Sequence, residues 1–205
     1  MNICSMMIAL LFLPQAGSSS QNDETSSVTI LIAYDSRSGE TETFARAVVE
    51  GVGTVEGAEG VLRRQSDVEE TEIVAADGIL VGSPVHWGNL STETKRFIDR
   101  VGGILASGGE LGSDSTPANR TIRTGGAFVT GGSVASGKEL ARIGILTSLL
   151  AFKFVLIGGE DAAGFGTLGA QATTGPSDPG LSEAELAEAR RFGARFTTLT
   201  KKLTR

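Results

Sequence analysis

The strongest constraint on this chain is a set of apolar runs that carry no polar alternation, at residues 28–34, 78–84 and 125–130. A strand with one wet face would alternate, so runs of this kind belong to a sheet covered on both faces. Each run ends in a turn rich in glycine and hydroxyl side chains. After the first run, VTILIAY, the residues Phe44, Ala45, Val48, Val49 and Val52 fall on one helical face. The unit therefore reads strand, polar turn, helix.

The same grammar continues along the chain. The spacing predicts a weak strand over 61–64 and a short helix over 68–76. The run GILVGSP is read as stopping at Pro84. A helix starting near Ser91 turns Phe97, Ile98 and Val101 inward and ends at Gly102 and Gly103. Residues 103–123 lack periodicity and read as a long loop, a kind of segment that is often functional. A fourth helix carries Leu140, Ile143, Thr147 and Leu150 at helical spacing, and residues 153–158 make the fifth strand. The last helix has the clearest start: Ser182 as N-cap, Glu185 as its capping-box partner, and Leu181 facing Leu186 as a hydrophobic staple. Its inward stripe is Leu186, Ala189, Phe192, Phe196, Leu199 and Leu203. Five strands alternating with helices specify an α/β fold with a doubly wound five-stranded parallel sheet, because right-handed crossovers cover both faces. Ligands of such sheets sit beyond the carboxyl ends of the strands, where this chain keeps its unusual turns.

Length and charge narrow the function. The 205 residues suit one core, read as a domain over 28–205 preceded by a segment over 1–27. The net charge of -6, with lysine and arginine scattered, excludes a nucleic-acid binder. The single cysteine, Cys4, and single histidine, His86, exclude a disulfide, a cysteine-based metal site and a His-rich metal site. No metal is expected. The apolar stretch over 3–13 is too short to span a bilayer, so stable membrane insertion is not expected. Two readings of it stay open, a signal-peptide core or an extension of the start. The absence of lysine or arginine before it argues against the signal. A cytoplasmic location is favoured, with a periplasmic or secreted one if the segment is a signal. The polar stretch that follows reads as a disordered linker.

Chemistry is concentrated in three turns. The first holds Ser36, Arg37, Ser38, Gly39, Glu40 and Thr41, where hydroxyls, backbone N–H groups and a helix N-terminus make an anion site suited to a phosphate monoester. Plain helix capping by the same hydroxyls is an equal alternative. It is neither a Walker loop nor a G-x-G-x-x-G fingerprint. The second turn runs through Ser83, Pro84, Val85, His86, Trp87, Gly88 and Asn89, mixing planar surfaces with amide donors as a flat heterocycle requires. The competing fate of Trp87 is an ordinary core aromatic. The third turn, Thr130, Gly131, Gly132, Ser133, Val134, Ala135, Ser136 and Gly137, is a donor-rich loop able to bond the edge of a ring system, or else a glycine connector.

Taken together, residues 34–41 resemble the phosphate loop of flavodoxin-like proteins. The stretch AADGILVGSPVHWGNLSTETKRFID is similar to the flavin-ring segment of the WrbA-type NAD(P)H:quinone oxidoreductases. The likeness continues through TGGSVASGKELARIGILTSLL and GTLGAQATTGPSDPGLSEAELAEARRFGARF. It implies a flavodoxin-like sheet in the order 2-1-3-4-5. It also implies non-covalent FMN, NAD(P)H as co-substrate, a quinone as acceptor, and a homo-oligomer, dimer or tetramer. By position the first turn would hold the FMN phosphate and the other two would flank the isoalloxazine. No catalytic side chain is implied, since the redox chemistry belongs to the flavin. The family's histidine near the end of the fourth helix is replaced here by Ala151 and Phe152, and its late aromatic by Leu168. Two alternatives remain: a flavodoxin-like electron carrier that oxidises no nicotinamide, and a flavin-free binding protein of the same fold.

Overall fold

A computed structural model describes residues 27–107, 122–175 and 180–204. The N-terminal segment, most of the expected 103–123 loop and part of the late loop before Ser182 lie outside the described residues. Chain order is β1 (Val28–Tyr34), α1 (Glu40–Gly53), β2 (Ala58–Arg64), α2 (Glu70–Ala75), β3 (Gly78–His86), β4 (Asn89–Leu90) and α3 (Thr92–Ser107). Then come β5 (Thr124–Gly131), α4 (Lys138–Ala151), β6 (Val155–Leu156), β7 (Gly159–Glu160), β8 (Gly166–Thr167), β9 (Ala170–Thr173) and α5 (Glu183–Leu203).

The absence of alternation in the central runs has the expected consequence. Along β1, Leu31 and Ala33 enter one core with Ile79, Val81, Ala127 and Val129, under α3 and α4. Ile30, Ile32 and Tyr34 enter the opposite core with Leu80 and Phe128, under α1 and α5. Successive side chains point to opposite faces, so a strand covered on both sides must be apolar at every position. The parallel sheet runs β2-β1-β3-β5-β6, which is the order 2-1-3-4-5 implied by the resemblance. Helices α1 and α5 approach closely because glycines face each other's backbone. A Cβ on Gly51 would lie 2.7 Å from the Arg190 carbonyl carbon, and one on Gly193 3.0 Å from that of Val48.

Several boundaries differ from the sequence reading, each for a tertiary reason. β3 does not stop at Pro84; it continues to His86, because Val85 and His86 pair antiparallel with Leu90 and Asn89 in a short hairpin. α3 runs through Gly102 and Gly103 to Ser107. Gly102 is tolerated there because a Cβ would strike the Phe152 ring at 2.8 Å, so its lack of a side chain is used for packing. α4 is apolar nearly all round, and the stripe Leu140, Ile143 and Leu150 is the exposed one. Its core face is Ala141, Ile145, Leu146 and Leu149. The fifth sheet position is shared. β6 pairs with Thr124 and Gly125, the chain then leaves in the β7–β8 hairpin, and β9 returns to pair with Phe128–Gly131. On α5, Ala189, Phe192 and Phe196 are buried as the spacing predicts, whereas Leu203 is exposed and Thr197 and Thr200 take its place inside.

Candidate functional site

A helix start leaves backbone N–H groups without intrahelical partners, and the helices of this molecule deal with them in two different ways. α5 and α2 carry reciprocal capping boxes, Ser182 with Glu185 and Glu69 with Glu72. α3 is capped by Ser91, whose hydroxyl accepts from Thr94 N at 3.2 Å. In contrast, α1 and α4 begin on left-handed glycines, Gly39 (φ 103°) and Gly137 (φ 91°), with no side-chain cap. Both uncapped starts follow central strands, β1 and β5, at the carboxyl edge of the sheet. The first backbone bond into α1 runs from Thr43 N to Gly39 O at 2.9 Å, so the amides of Glu40, Thr41 and Glu42 precede it.

The turn before α1 is shaped from both sides. Ser36, almost fully buried, accepts from Gly39 N at 3.1 Å and tightens the loop. Ser38 donates to the Glu40 carboxylate. Thr41 meets Thr130 of β5 hydroxyl to hydroxyl at 2.7 Å, both side chains buried, which ties the first turn to the third. From the outside Arg64 donates to Ser36 O at 2.9 Å and to Glu42 at 2.7 Å, with its guanidinium 5.5 Å above the Tyr34 ring. The hydrogen bond from Arg46, aided by the charges of Arg64 and Arg46, overcomes burial and holds the Glu42 carboxyl below its ordinary value. Burial and the nearby Glu42 push the Tyr34 hydroxyl up. Glu42 is thus an ionised, neutralised anchor for the helix start.

The second turn is the β3–β4 hairpin, with Trp87 (φ 53°) and Gly88 (φ 81°) at its tip in left-handed backbone. Such a two-residue turn matches the twist of an antiparallel pair, but a bulky aromatic is seldom found in it. Trp87 does not enter the core; it is fully exposed. Its hairpin touches the third turn, since a Cβ on Gly137 would lie 2.7 Å from both Gly88 C and Gly88 Cα. Between the first and second turns lies a cavity of about 280 Å³ lined by Asp35, Arg37, His86, Ser91, Thr92 and Glu93.

In the third turn Gly132, Ser133, Val134 and Ala135 are exposed. The Ser136 hydroxyl is buried and makes no hydrogen bond. Beneath it Lys138 is buried and donates to Thr173 at 2.6 Å. Arg142, also buried, donates to Gly169 O at 3.0 Å and to the Gln171 side chain at 2.8 Å. These cations fasten β9, and Thr174 N donates to Gly131 O at 2.9 Å. Residues 173–175 thereby lie beside the third turn.

All three predicted turns meet at one edge of the sheet, with Thr41 and Thr130 at one contact between turns and Gly88 and Gly137 at another. Sequence reasoning missed Asp35, Arg64, Ser91 and the 173–175 segment. Asp35 and Ser91 adjoin the predicted turns and were within reach of the motif. Arg64 ends an unremarkable edge strand, and nothing local marks it.

A flavodoxin domain pattern matches residues 31–108, which span the first two turns. A flavodoxin of Aquifex aeolicus is 35% identical over 135 residues, covering 66% of this chain and 67% of the relative. The chain belongs to the flavodoxin family. Among its relatives is an NAD(P)H dehydrogenase (quinone) of Syntrophobacter fumaroxidans, 27% identical over 86% of this chain and 98% of the relative. The crystal structure of a WrbA-like flavodoxin from Agrobacterium tumefaciens superposes with a TM-score of 0.65 at 20% identity, covering 86% of this chain and 99% of that one. For this flavodoxin-family chain the described residues contain no helix long and apolar enough to cross a membrane.

Proposed function

We propose that this chain is an FMN-dependent oxidoreductase that passes electrons from NAD(P)H to quinones. The observation that carries the reading is the pair of uncapped helix starts, α1 and α4, at the carboxyl ends of β1 and β5, when the other long helices are capped. A helix N-terminus with free amides attracts an anion. At α1 the donor set fits a phosphate monoester: the amides of Glu40, Thr41 and Glu42 with the hydroxyl of Ser36, joined by those of Ser38 and Thr41 once they turn from Glu40 and Thr130.

The remaining residues suit a planar ring. Pro84, Val85, His86, Trp87, Gly88 and Asn89 would form one wall, and Thr130 with Gly131, Gly132, Ser133, Val134, Ala135, Ser136 and Gly137 the other. The unpartnered Ser136 hydroxyl fits this role, because a buried hydroxyl without a partner is costly unless something else bonds it. When bound, the flavin supplies the redox chemistry, taking two electrons as hydride from the nicotinamide and passing them to the quinone. The chain's own part is to bind the phosphate, orient the ring and leave one ring face open to substrates. Relatives named NAD(P)H dehydrogenase (quinone), matched over most of both chains, support the enzyme reading. The exposed α4 stripe of Leu140, Ile143 and Leu150 supports self-association, which sedimentation tests.

The electron-carrier reading draws on the Aquifex relative, which is called a flavodoxin. One experiment separates the readings. On the enzyme reading, purified protein is expected to be yellow, to release FMN on denaturation, and to oxidise NADPH or NADH only when benzoquinone is present. Flavin without nicotinamide oxidation leaves the carrier, and a colourless protein that takes up no FMN leaves neither.

A further inference from the structure

The ring wall stands on a hairpin whose two feet are Ser83 and Ser91, and both feet belong to one buried chain of hydrogen bonds. It begins at Gln65, the first residue after β2. Its side-chain amide donates to Ala33 O of β1 at 3.3 Å and to Gly82 O of β3 at 2.9 Å. Gly82 O also accepts from Asp35 N, at the mouth of the first turn, at 3.0 Å. The Gln65 side-chain oxygen accepts from Thr94 Oγ1 at 3.0 Å, and Thr94 Oγ1 accepts from Ser91 Oγ at 2.9 Å. Ser91 N then donates to Ser83 Oγ at 3.0 Å, and Ser83 Oγ donates to Pro84 O at 2.8 Å. Gln65, Ser83, Ser91 and Thr94 are at most 3% exposed. Every donor in the series finds an acceptor, and each hydroxyl has a single orientation open to it.

A satisfied polar core is common, and satisfaction alone assigns no role. This chain is distinguished by what it joins. Gln65 couples the adjacent ends of β1 and β3, the point from which the first and second turns diverge, and its far end grips both feet of the hairpin that carries His86, Trp87 and Gly88. A fully bonded buried network holds one geometry, whereas a broken one leaves polar groups free to choose others. We infer that Gln65, acting through Thr94 and Ser91, is a positioning residue that sets the ring wall at its distance from the phosphate loop. The inference rests on the flavin reading above. The neighbouring Arg64 has the complementary task, since it grips Ser36 O and Glu42 on the phosphate side only.

The test compares FMN with riboflavin, which lacks the phosphate, in titrations of the full-length apoprotein. Gln65→Met and Thr94→Val are expected to weaken both flavins by the same factor, about tenfold. The double variant should lose no more than the worse single one, because both cut the same series. Thr94→Ser, which keeps the hydroxyl, restores wild-type binding. Arg64→Met weakens FMN and leaves riboflavin alone. A Gln65→Met protein with native circular dichroism that binds both flavins as wild type does, or that loses only FMN, overturns the inference. Should Gln65→Met fail to fold, Thr94→Val against Thr94→Ser decides on the same criterion. Amide exchange at Ser91 keeps the two readings apart. Slow exchange in wild type that becomes fast in Thr94→Val upholds the bonded series even if neither flavin binds, in which case it is the flavin assignment that falls.

Discussion

Gly137→Ala is the most demanding perturbation of the site, because it strikes the contact between two turns without removing any polar group. Two effects add. Gly137 has a φ of 91°, and an L-residue held in left-handed backbone costs roughly 1–2 kcal/mol. The new Cβ would also lie 2.7 Å from Gly88 C and Gly88 Cα, against the roughly 3.5–4.0 Å at which carbon atoms pack. Both neighbours are backbone, so the hairpin must retreat by about 1 Å, and overpacking of this kind costs roughly 1–3 kcal/mol. Gly39→Ala is the internal control: its φ is 103°, and its Cβ would meet nothing within 4 Å. It carries only the conformational cost. Gly137→Ala should therefore lower the thermal midpoint by roughly 4–20 °C and Gly39→Ala by roughly 2–8 °C, at about 2–4 °C per kcal/mol for a domain of this size. Gly137→Ala should in addition weaken riboflavin, which reads the ring cleft alone, by about tenfold to a hundredfold. Circular dichroism melting and flavin fluorescence titration measure the two effects. Equal midpoints for the two variants, with riboflavin affinity unchanged in Gly137→Ala, would refute the packing of Gly88 on Gly137.

Thr41→Val leaves the buried Thr130 hydroxyl without its partner, at a cost of about 1–3 kcal/mol in denaturant unfolding. Trp87 is the only tryptophan and is fully exposed, so its emission should be that of a hydrated indole, open to iodide quenching, and on the proposed function FMN should quench it. Burial pushes the Glu185 carboxyl up, but hydrogen bonds from Thr173 N and from the Ser182 hydroxyl and amide outweigh it and lower the value. Its stabilisation is complete above the unfolded-state value of about 4.3 and is lost as pH falls through the lower folded value. Glu185→Gln should flatten that acid limb of the stability profile, measured as denaturant midpoint against pH. Arg142→Met frees Gly169 O and Gln171 and is expected to speed proteolysis within residues 159–169, while β1 and β3 amides stay protected from exchange.

Much of this molecule is local in origin. A run such as VTILIAY has one stable use, a strand covered on both faces, and the capping box at Ser182 starts a helix whatever surrounds it. From these features the sequence by itself determined the strand-turn-helix grammar, the layering and the position of the three glycine- and hydroxyl-rich turns. The carboxyl-edge location of those turns followed from connectivity, since parallel strands joined by crossovers leave every strand-to-helix turn at the carboxyl ends of the strands.

What remained was decided between distant elements. α4 is apolar on nearly every face, so its own periodicity could not say that Ala141 and Ile145 pack inward while Leu140 and Leu150 meet water; the sheet surface chose. The fifth strand position is filled by two short segments because β5 is longer than β6, and the β9 segment AQAT is too short and too plain to announce itself. Gln65 and Arg64 close an edge strand in an ordinary polar pair, yet register places them against β3, α3 and the first turn. Hydrogen bonds spanning 17 to 32 residues depend on where whole strands and helices come to rest, and no local pattern of residues encodes that.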